Sequence, residues 1–121
     1  PVEADLSFLY GTIFIGEPED AGSDSRNVCI FAEGEVDRSP TGSGVSARAA
    51  IHHQRRELPI GKPMRIESIL GTTFDVKILE ALTYEGLPAV IPEVSGSAYV
   101  TGKHEFLIDP QDPLRQGFIL R

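Results

Sequence analysis

The segment 37–48, DRSPTGSGVSAR, restricts the local fold more than any other part of the 121-residue sequence. Proline has a preset φ and no N–H, so Pro40 suits the first turn of a helix, with Ser39 as the N-cap. The next N–H groups have no partner within a helix, and the sequence offers neither a capping box nor an acid to occupy them. The segment therefore predicts a loop followed by a helix with free amides at its start.

Free amides at a helix N-terminus favour anions, and glycine leaves the backbone open to approach. We therefore expect the N–H groups of residues 41–44 to bind a carboxylate or a phosphate. Asp37 lies just before the loop, where its carboxylate is placed to hold a cationic group. An anion site next to an acid suits the zwitterion of an amino acid.

Two other interpretations of this segment remain open. Glycine and serine are also typical of a tight turn, in which Asp37 would act only as a cap. A phosphate-binding loop has a similar composition, but this segment lacks the Gly-Lys-Ser/Thr ending, and no lysine follows the glycines.

Length, charge and cysteine content narrow the class of protein. A chain of 121 residues with a formal net charge of −7 suits one globular domain and argues against nucleic acid or an anionic membrane as a partner. No apolar run has the length of a membrane-spanning helix. Cys29 is the single cysteine; it lies in an apolar run and is expected in the core, not as a nucleophile. We therefore expect a cytoplasmic protein without a disulfide or a metal site.

Residue patterns predict one helix and several strands. The helix is expected over about residues 41–57, with small residues that allow other backbone to approach closely. An apolar run at 7–15 predicts a strand buried on both faces, and residues 106–108 are expected to close the core. A hairpin is expected from the two alternating segments 64–69 and 73–79. The other predicted strands are 27–32, material within 89–102, and a final strand near His104.

The motif DRSPTGSGVSAR resembles the second active-site motif of the proline racemase, hydroxyproline epimerase and trans-3-hydroxy-L-proline dehydratase family. Other segments match in the same order, from Asp5 to Arg121: DLSFLYGTIF, RNVCIFAEGEVDRSP, ESILGTTF, PEVSGSAYVTGKHEF and DPQDPLRQGF. The resemblance implies an α+β chain, one lobe of a diaminopimelate-epimerase-like fold, with mostly antiparallel strands wrapped around a central helix.

Family members have two similar lobes with the substrate bound between them. The resemblance implies that residues 1–121 form a single C-terminal lobe, cut just before the strand that starts at Asp5. The expected partners are then an imino acid substrate and the N-terminal lobe of the same protein. The apolar tail 118–120 is expected to pack on that lobe or on a second subunit in a homodimer. No cofactor is expected.

Thr41 stands where racemases and epimerases of this family have a cysteine. A threonine hydroxyl does not ionise near neutral pH and cannot act as the second base that inversion requires. The resemblance therefore favours trans-3-hydroxy-L-proline dehydratase, with the base a cysteine of the N-terminal lobe. It implies that Thr41 hydrogen-bonds the leaving hydroxyl or a water, that Asp37 binds the ring ammonium, and that Gly42 and Ser43 bind the carboxylate.

Two alternative functions stay open at this point. One is the lobe of a proline or hydroxyproline racemase or epimerase, against which Thr41 is the argument. The other is a non-catalytic module that binds an amino acid or an anion with the same loop. Thr41 would then be a helix-start residue without a chemical role.

Overall fold

The computed structural model describes residues 7–119, which form one sheet and one helix. The predicted strand start at Asp5 and the end of the predicted tail at Leu120 lie outside the described residues. The elements are β1 (Gly11–Gly16), β2 (Ser25–Phe31), β3 (Glu35–Val36), α1 (Gly42–Gln54), β4 (Met64–Ser68), β5 (Thr73–Tyr84) and β6 (Leu87–Ser95). The α+β prediction is confirmed.

The sheet has six strands in the order β1-β2-β4-β5-β6, with β3 paired to β2. The β2–β4 pair is parallel, and α1 lies in the connection between these two strands. All the other pairs are antiparallel, as the resemblance implied. Strands β5 and β6 form a hairpin whose two loop residues, Glu85 and Gly86, have φ values of 50° and 80°. Two positive φ values are what a tight turn between twisted strands requires.

The core lies between α1 and the middle of the sheet. Alternate residues of β4 and β5 point inward, and Ile66, Val76 and Ile78 are all 0% exposed. Val45 and Ala49 of α1 pack against them. Leu58 and Met64, which follow the helix, complete the cluster of buried residues.

Strands from both edges of the sheet contact α1. At one edge, Gly44 lies so close to Ile13 of β1 that a Cβ on this glycine would overlap the Ile13 side chain. At the other edge, α1 packs on β6 and its neighbour β5. The small side chains of the helix permit this close approach, and the sheet therefore curves around a central helix, as predicted. No helix within residues 7–119 has the length and apolar character needed to cross a membrane.

The expectations for the first and the last predicted strands are wrong. The first strand begins at Gly11 and not at residue 7, and Phe14 and Ile15 are 58% and 59% exposed. In β1 only Gly11 and Ile13 are partly buried, and the other four residues are exposed. The predicted final strand is also not formed, because residues 96–119 contain no strand or helix. Phe106 and Leu107, expected in the core, are 84% and 88% exposed.

Ile66 gives a direct test of the core. Because its side chain is completely buried, Ile66→Ala is expected to lower the free energy of unfolding by about 3 kcal/mol, whereas Ile66→Val should cost about 1 kcal/mol. Urea denaturation of the two variants measures both values. Small and equal losses would contradict the placement of Ile66 at the centre of the core.

Candidate functional site

The loop before α1 has an unusual backbone at Thr41. This residue is the N-cap, with φ 68° and ψ 96°, and Val45 N–H donates to its carbonyl at 2.8 Å. A positive φ is rare for a β-branched residue and costs on the order of 1–3 kcal/mol. The expectation that Ser39 caps the helix is wrong. Instead, Ser39 Oγ accepts a hydrogen bond from the Thr41 N–H at 3.0 Å. Pro40, which was expected in the first turn, lies before the helix.

Asp37 and Thr41, two of the predicted site residues, are in direct contact. The Thr41 hydroxyl donates to Asp37 Oδ2 at 2.9 Å, and the Ser39 N–H donates to Asp37 Oδ1 at 2.8 Å. Each of these side chains was expected to have a separate role, and no sequence pattern indicated their contact. Because the aspartate is also part of the loop's own hydrogen bonding, its carboxylate is held in one orientation.

The local environment lowers the pKa of Asp37. Partial burial raises the pKa of this carboxyl, but the hydrogen bonds from Ser39 and Thr41, together with the charge of Arg38, lower it more. The net pKa lies below the ordinary value of 3.8. Asp37 is therefore an anion at neutral pH, placed to hold a cation.

The first turn of α1 presents free amides. Within residues 7–119, no acceptor bonds the N–H groups of Gly42, Ser43 and Gly44. The helix has no side-chain cap and no acid in its first turn. The Thr41 N–H, which was also expected to be free, is bonded to Ser39. Three amides at the positive end of the helix dipole remain for an anion.

Asp37, Thr41 and Ser43 line a cleft of about 380 Å³. The rest of its lining is mainly apolar or backbone: Tyr10, Gly11, Ile13, Cys29, Phe31 and Gly44. Cys29 is only 7% exposed, as predicted for a core residue, although one side of it reaches this cleft. The cleft thus joins an acid, a hydroxyl and an apolar wall beside the first turn of α1.

Larger cavities lie elsewhere on the described chain but have less suitable walls. One of about 570 Å³ lies between the end of α1 and the β5–β6 hairpin and has a mainly apolar lining. Another of about 500 Å³ is lined by charged groups that already pair, such as Arg65 with Asp75. Residues 7–119 contain no cluster of three His, Cys, Asp or Glu side chains suited to a metal ion. The smaller cleft at Asp37 is therefore the candidate site.

Comparisons with known proteins agree on one family. The family model described as proline racemase matches residues 1–119. The chain is 53% identical to a trans-3-hydroxy-L-proline dehydratase of Colwellia psychrerythraea, and the match covers 100% of this chain and 34% of that protein. It is 46% identical to a 3-hydroxyproline 2-epimerase of Burkholderia multivorans, with 100% and 36% covered.

Among solved structures, the chain is similar to a hydroxyproline epimerase of Agrobacterium vitis with bound trans-4-hydroxy-L-proline. The TM-score is 0.76 at 35% identity, and the match covers 93% of this chain and 32% of that one. The chain spans about a third of the length of the curated relatives it matches.

Removing the Thr41 hydroxyl is expected to raise the pKa of Asp37. Thr41→Val deletes a hydrogen bond that stabilises the ionised carboxylate, whereas Thr41→Ser keeps the hydroxyl. A carboxyl with a lowered pKa stabilises the fold above its ordinary pKa, and this contribution is lost as pH falls through the folded value. The valine variant should therefore have a lower free energy of unfolding at neutral pH than the serine variant.

Carbon-13 NMR titration of the Asp37 carboxyl measures this pKa in the two variants. Equal values in Thr41→Val and Thr41→Ser would show that the hydroxyl does not stabilise the carboxylate.

Proposed function

The chain belongs to the proline racemase family, and we propose that it is the substrate-binding half of a trans-3-hydroxy-L-proline dehydratase. The observation that carries the proposal is the Thr41 hydroxyl, bonded to an ionised Asp37 in a cleft beside free helix amides. The name of the Colwellia relative supports the substrate and the reaction. The proposed reaction is the loss of water to give pyrroline-2-carboxylate.

The two charges of an imino acid match the Asp37 carboxylate and the free amides at the start of α1. Asp37 binds the ring ammonium: its two oxygens have about four lone-pair sites, and Ser39 and Thr41 occupy only two of them. The N–H groups of Gly42 and Ser43, with the Ser43 hydroxyl, bind the carboxylate. The ring then lies against the apolar wall formed by residues such as Ile13 and Phe31.

Thr41 assists the departure of the substrate hydroxyl. The base removes the proton from C2, the electrons of that C–H bond form the C2–C3 double bond, and the C3–O bond breaks. The leaving oxygen must gain a proton to depart as water, and Thr41 hydrogen-bonds this oxygen or the water that protonates it. The ring ammonium takes a free lone pair of Asp37, and the Thr41 hydroxyl turns from Oδ2 to make this contact. The enamine product tautomerises to the cyclic imine.

The base belongs to the part of the protein upstream of this lobe. The chain has one cysteine, Cys29, which is buried in β2 and only 7% exposed, so it is not proposed as the base. We propose that a cysteine of an N-terminal lobe closes the cleft and removes the α-proton. Residues 1–121 then form the C-terminal lobe, which is inactive alone, because half a cleft provides neither the base nor a dry site.

Exposed apolar side chains support the proposed contact with a second lobe. Between β6 and residue 119, Tyr99, Val100, Phe106 and Leu107 are 84–90% exposed. The backbone of residues 97–108 forms no hydrogen bond within the described chain. A large apolar surface of this kind marks an interface. The N-terminal lobe is the proposed partner, and a homodimer contact is the alternative. The whole enzyme is proposed to be cytoplasmic and to need no cofactor.

A racemase or epimerase is the second candidate function. The Burkholderia relative and the Agrobacterium structure both carry epimerase names, and that structure contains bound trans-4-hydroxy-L-proline. Inversion by two bases requires an ionisable group on each face of the α-carbon, and Thr41 does not provide one on this lobe. A non-catalytic binding module would use the same loop, but it would bind proline without an N-terminal lobe.

Dehydration by the whole protein is the direct test. We expect trans-3-hydroxy-L-proline to lose water, detected by mass spectrometry as pyrroline-2-carboxylate. Asp37→Asn keeps the shape but removes the charge that holds the ammonium, so kcat/KM should fall about 10- to 100-fold. Asp20→Asn, in the exposed loop before β2, is the control and should retain activity. Absence of water loss in the unmodified protein would contradict the proposal.

Replacing Thr41 with cysteine tests the assignment of the reaction. A thiol with a pKa near ~8.5 can return or remove a proton at the second face of the α-carbon. Thr41→Cys is therefore expected to exchange the α-proton of proline with D2O, which NMR detects as deuterium at C2. Thr41→Ser is the matched control and should show no gain. If the cysteine variant shows no exchange, the role assigned to this position is wrong.

A further inference from the structure

Asn27 connects the middle of α1 to the loop that carries Thr41. Its side chain is 1% exposed, and its Oδ1 accepts a hydrogen bond from Arg48 Nη1 at 2.6 Å. Its Nδ2 donates to the carbonyl oxygen of Pro40 at 3.4 Å. Pro40 is itself fully buried, so its carbonyl has little access to solvent. A strand residue that does not line the cleft thus contacts the peptide just before Thr41.

Arg48 determines how the Asn27 amide is oriented. A guanidinium only donates hydrogen bonds, so it requires the oxygen of the amide, and the NH2 group must then face Pro40. Arg48 Nη1 also donates to Ser25 Oγ at 2.7 Å, and no described carboxylate is bonded to this arginine. Its buried Nε has no partner, and burial lowers the pKa of the guanidinium. A charge held only by neutral acceptors is a costly way to attach a helix to a strand.

The Pro40–Thr41 peptide is held at both of its polar atoms. Asn27 bonds its carbonyl oxygen, and Ser39 Oγ accepts a hydrogen bond from its N–H. The plane of this peptide sets the φ of Thr41, which is 68°. An unfavourable φ persists only where the surroundings enforce it. Of these two hydrogen bonds, the one from Asn27 comes from outside the loop.

We propose that Asn27, oriented by Arg48, is a positioning residue for the reaction at Thr41. It holds the Pro40–Thr41 peptide so that the Thr41 hydroxyl reaches Asp37 and the first amides of α1 are presented together. Neither Asn27 nor Arg48 contacts the substrate. The inference rests on the proposed function, because the loop that Asn27 positions is the proposed substrate site.

Asn27→Asp in the whole protein separates positioning from stability. The carboxylate has the same shape and pairs with Arg48, so the melting temperature should stay the same or rise. Its second oxygen now faces the Pro40 carbonyl, where two acceptors repel each other. We expect the loop to shift and the kcat/KM for trans-3-hydroxy-L-proline to fall about tenfold or more, mainly through KM. Ser25→Ala, which removes the other Arg48 acceptor without touching the loop, should leave KM within about twofold of the unmodified value.

The KM values of these variants decide whether Asn27 positions the loop. An unchanged KM in Asn27→Asp, or equal rises in Asn27→Asp and Ser25→Ala, would overturn the proposal. If Asn27→Asp does not fold, Arg48→Met and Arg48→Lys replace it. Methionine removes the donor that orients the Asn27 amide, so KM should rise. Lysine keeps a charged donor, so KM should stay close to the unmodified value. Equal KM values in this second pair would also overturn the proposal.

Failure of the proposed function would be visible separately, as an unmodified protein that does not dehydrate the substrate. Crystal structures of the unmodified protein and of Asn27→Asp then decide the inference. A rotated Pro40 carbonyl with a changed φ at Thr41 supports it, and an unchanged loop refutes it.

Discussion

The structure of the candidate site depends on the left-handed backbone of Thr41. With φ at 68°, the chain turns sharply into α1, so the Thr41 hydroxyl points back to Asp37 while the next amides point forward. A helical φ at this residue would start α1 one residue earlier, and the Gly44 N–H would then bond the Pro40 carbonyl and no longer be free. The strain of one residue therefore creates the acid, the hydroxyl and the free N–H groups as neighbours. Strain of this kind is typical of functional sites.

The rest of the fold supports this loop from behind. The helix that follows it is fixed by Val45 and Ala49 in the core, and the edge strand β1 reaches it at Gly44. Because the helix cannot shift without disturbing both edges of the sheet, the position of its first turn is well defined. The start of α1 is thus fixed by the core, while apolar side chains such as Tyr99 and Val100 are almost fully exposed.

Local patterns in the sequence predicted the elements well. The expected helix at 41–57 corresponds to α1 (Gly42–Gln54), and the predicted hairpin corresponds to β4 and the first part of β5. Periodicity and turn chemistry are properties of neighbouring residues, so they can be read directly. Exposure of β1 and of residues 96–119 could not be predicted, since an apolar run does not show which surface, if any, covers it.

The details of the site were harder to predict than its residues. Ser39 was a reasonable N-cap, but its Oγ accepts the Thr41 N–H within the loop, and the helix starts later, at Gly42. The Asn27–Arg48 contact joins residues 21 positions apart, which no local pattern reveals. Its signal was a polar residue at an inward position of an apolar strand and an arginine within a helix of small residues.

The substitution of a hydroxyl for a thiol changes what this lobe contributes to the proposed chemistry. A cysteine at position 41 would make the two halves of the cleft equivalent, each with a base, and the α-carbon could be deprotonated from either side. Thr41, bonded to Asp37, makes them unequal in the proposed reaction. There the absent half removes the proton, and this half holds both charges of the substrate and assists the leaving oxygen. In the proposed binding mode the same backbone loop suits both arrangements, because the amides and the acid hold the part of the substrate that does not react. Selection between inversion and elimination then needs only one side chain, provided that the loop keeps it in place.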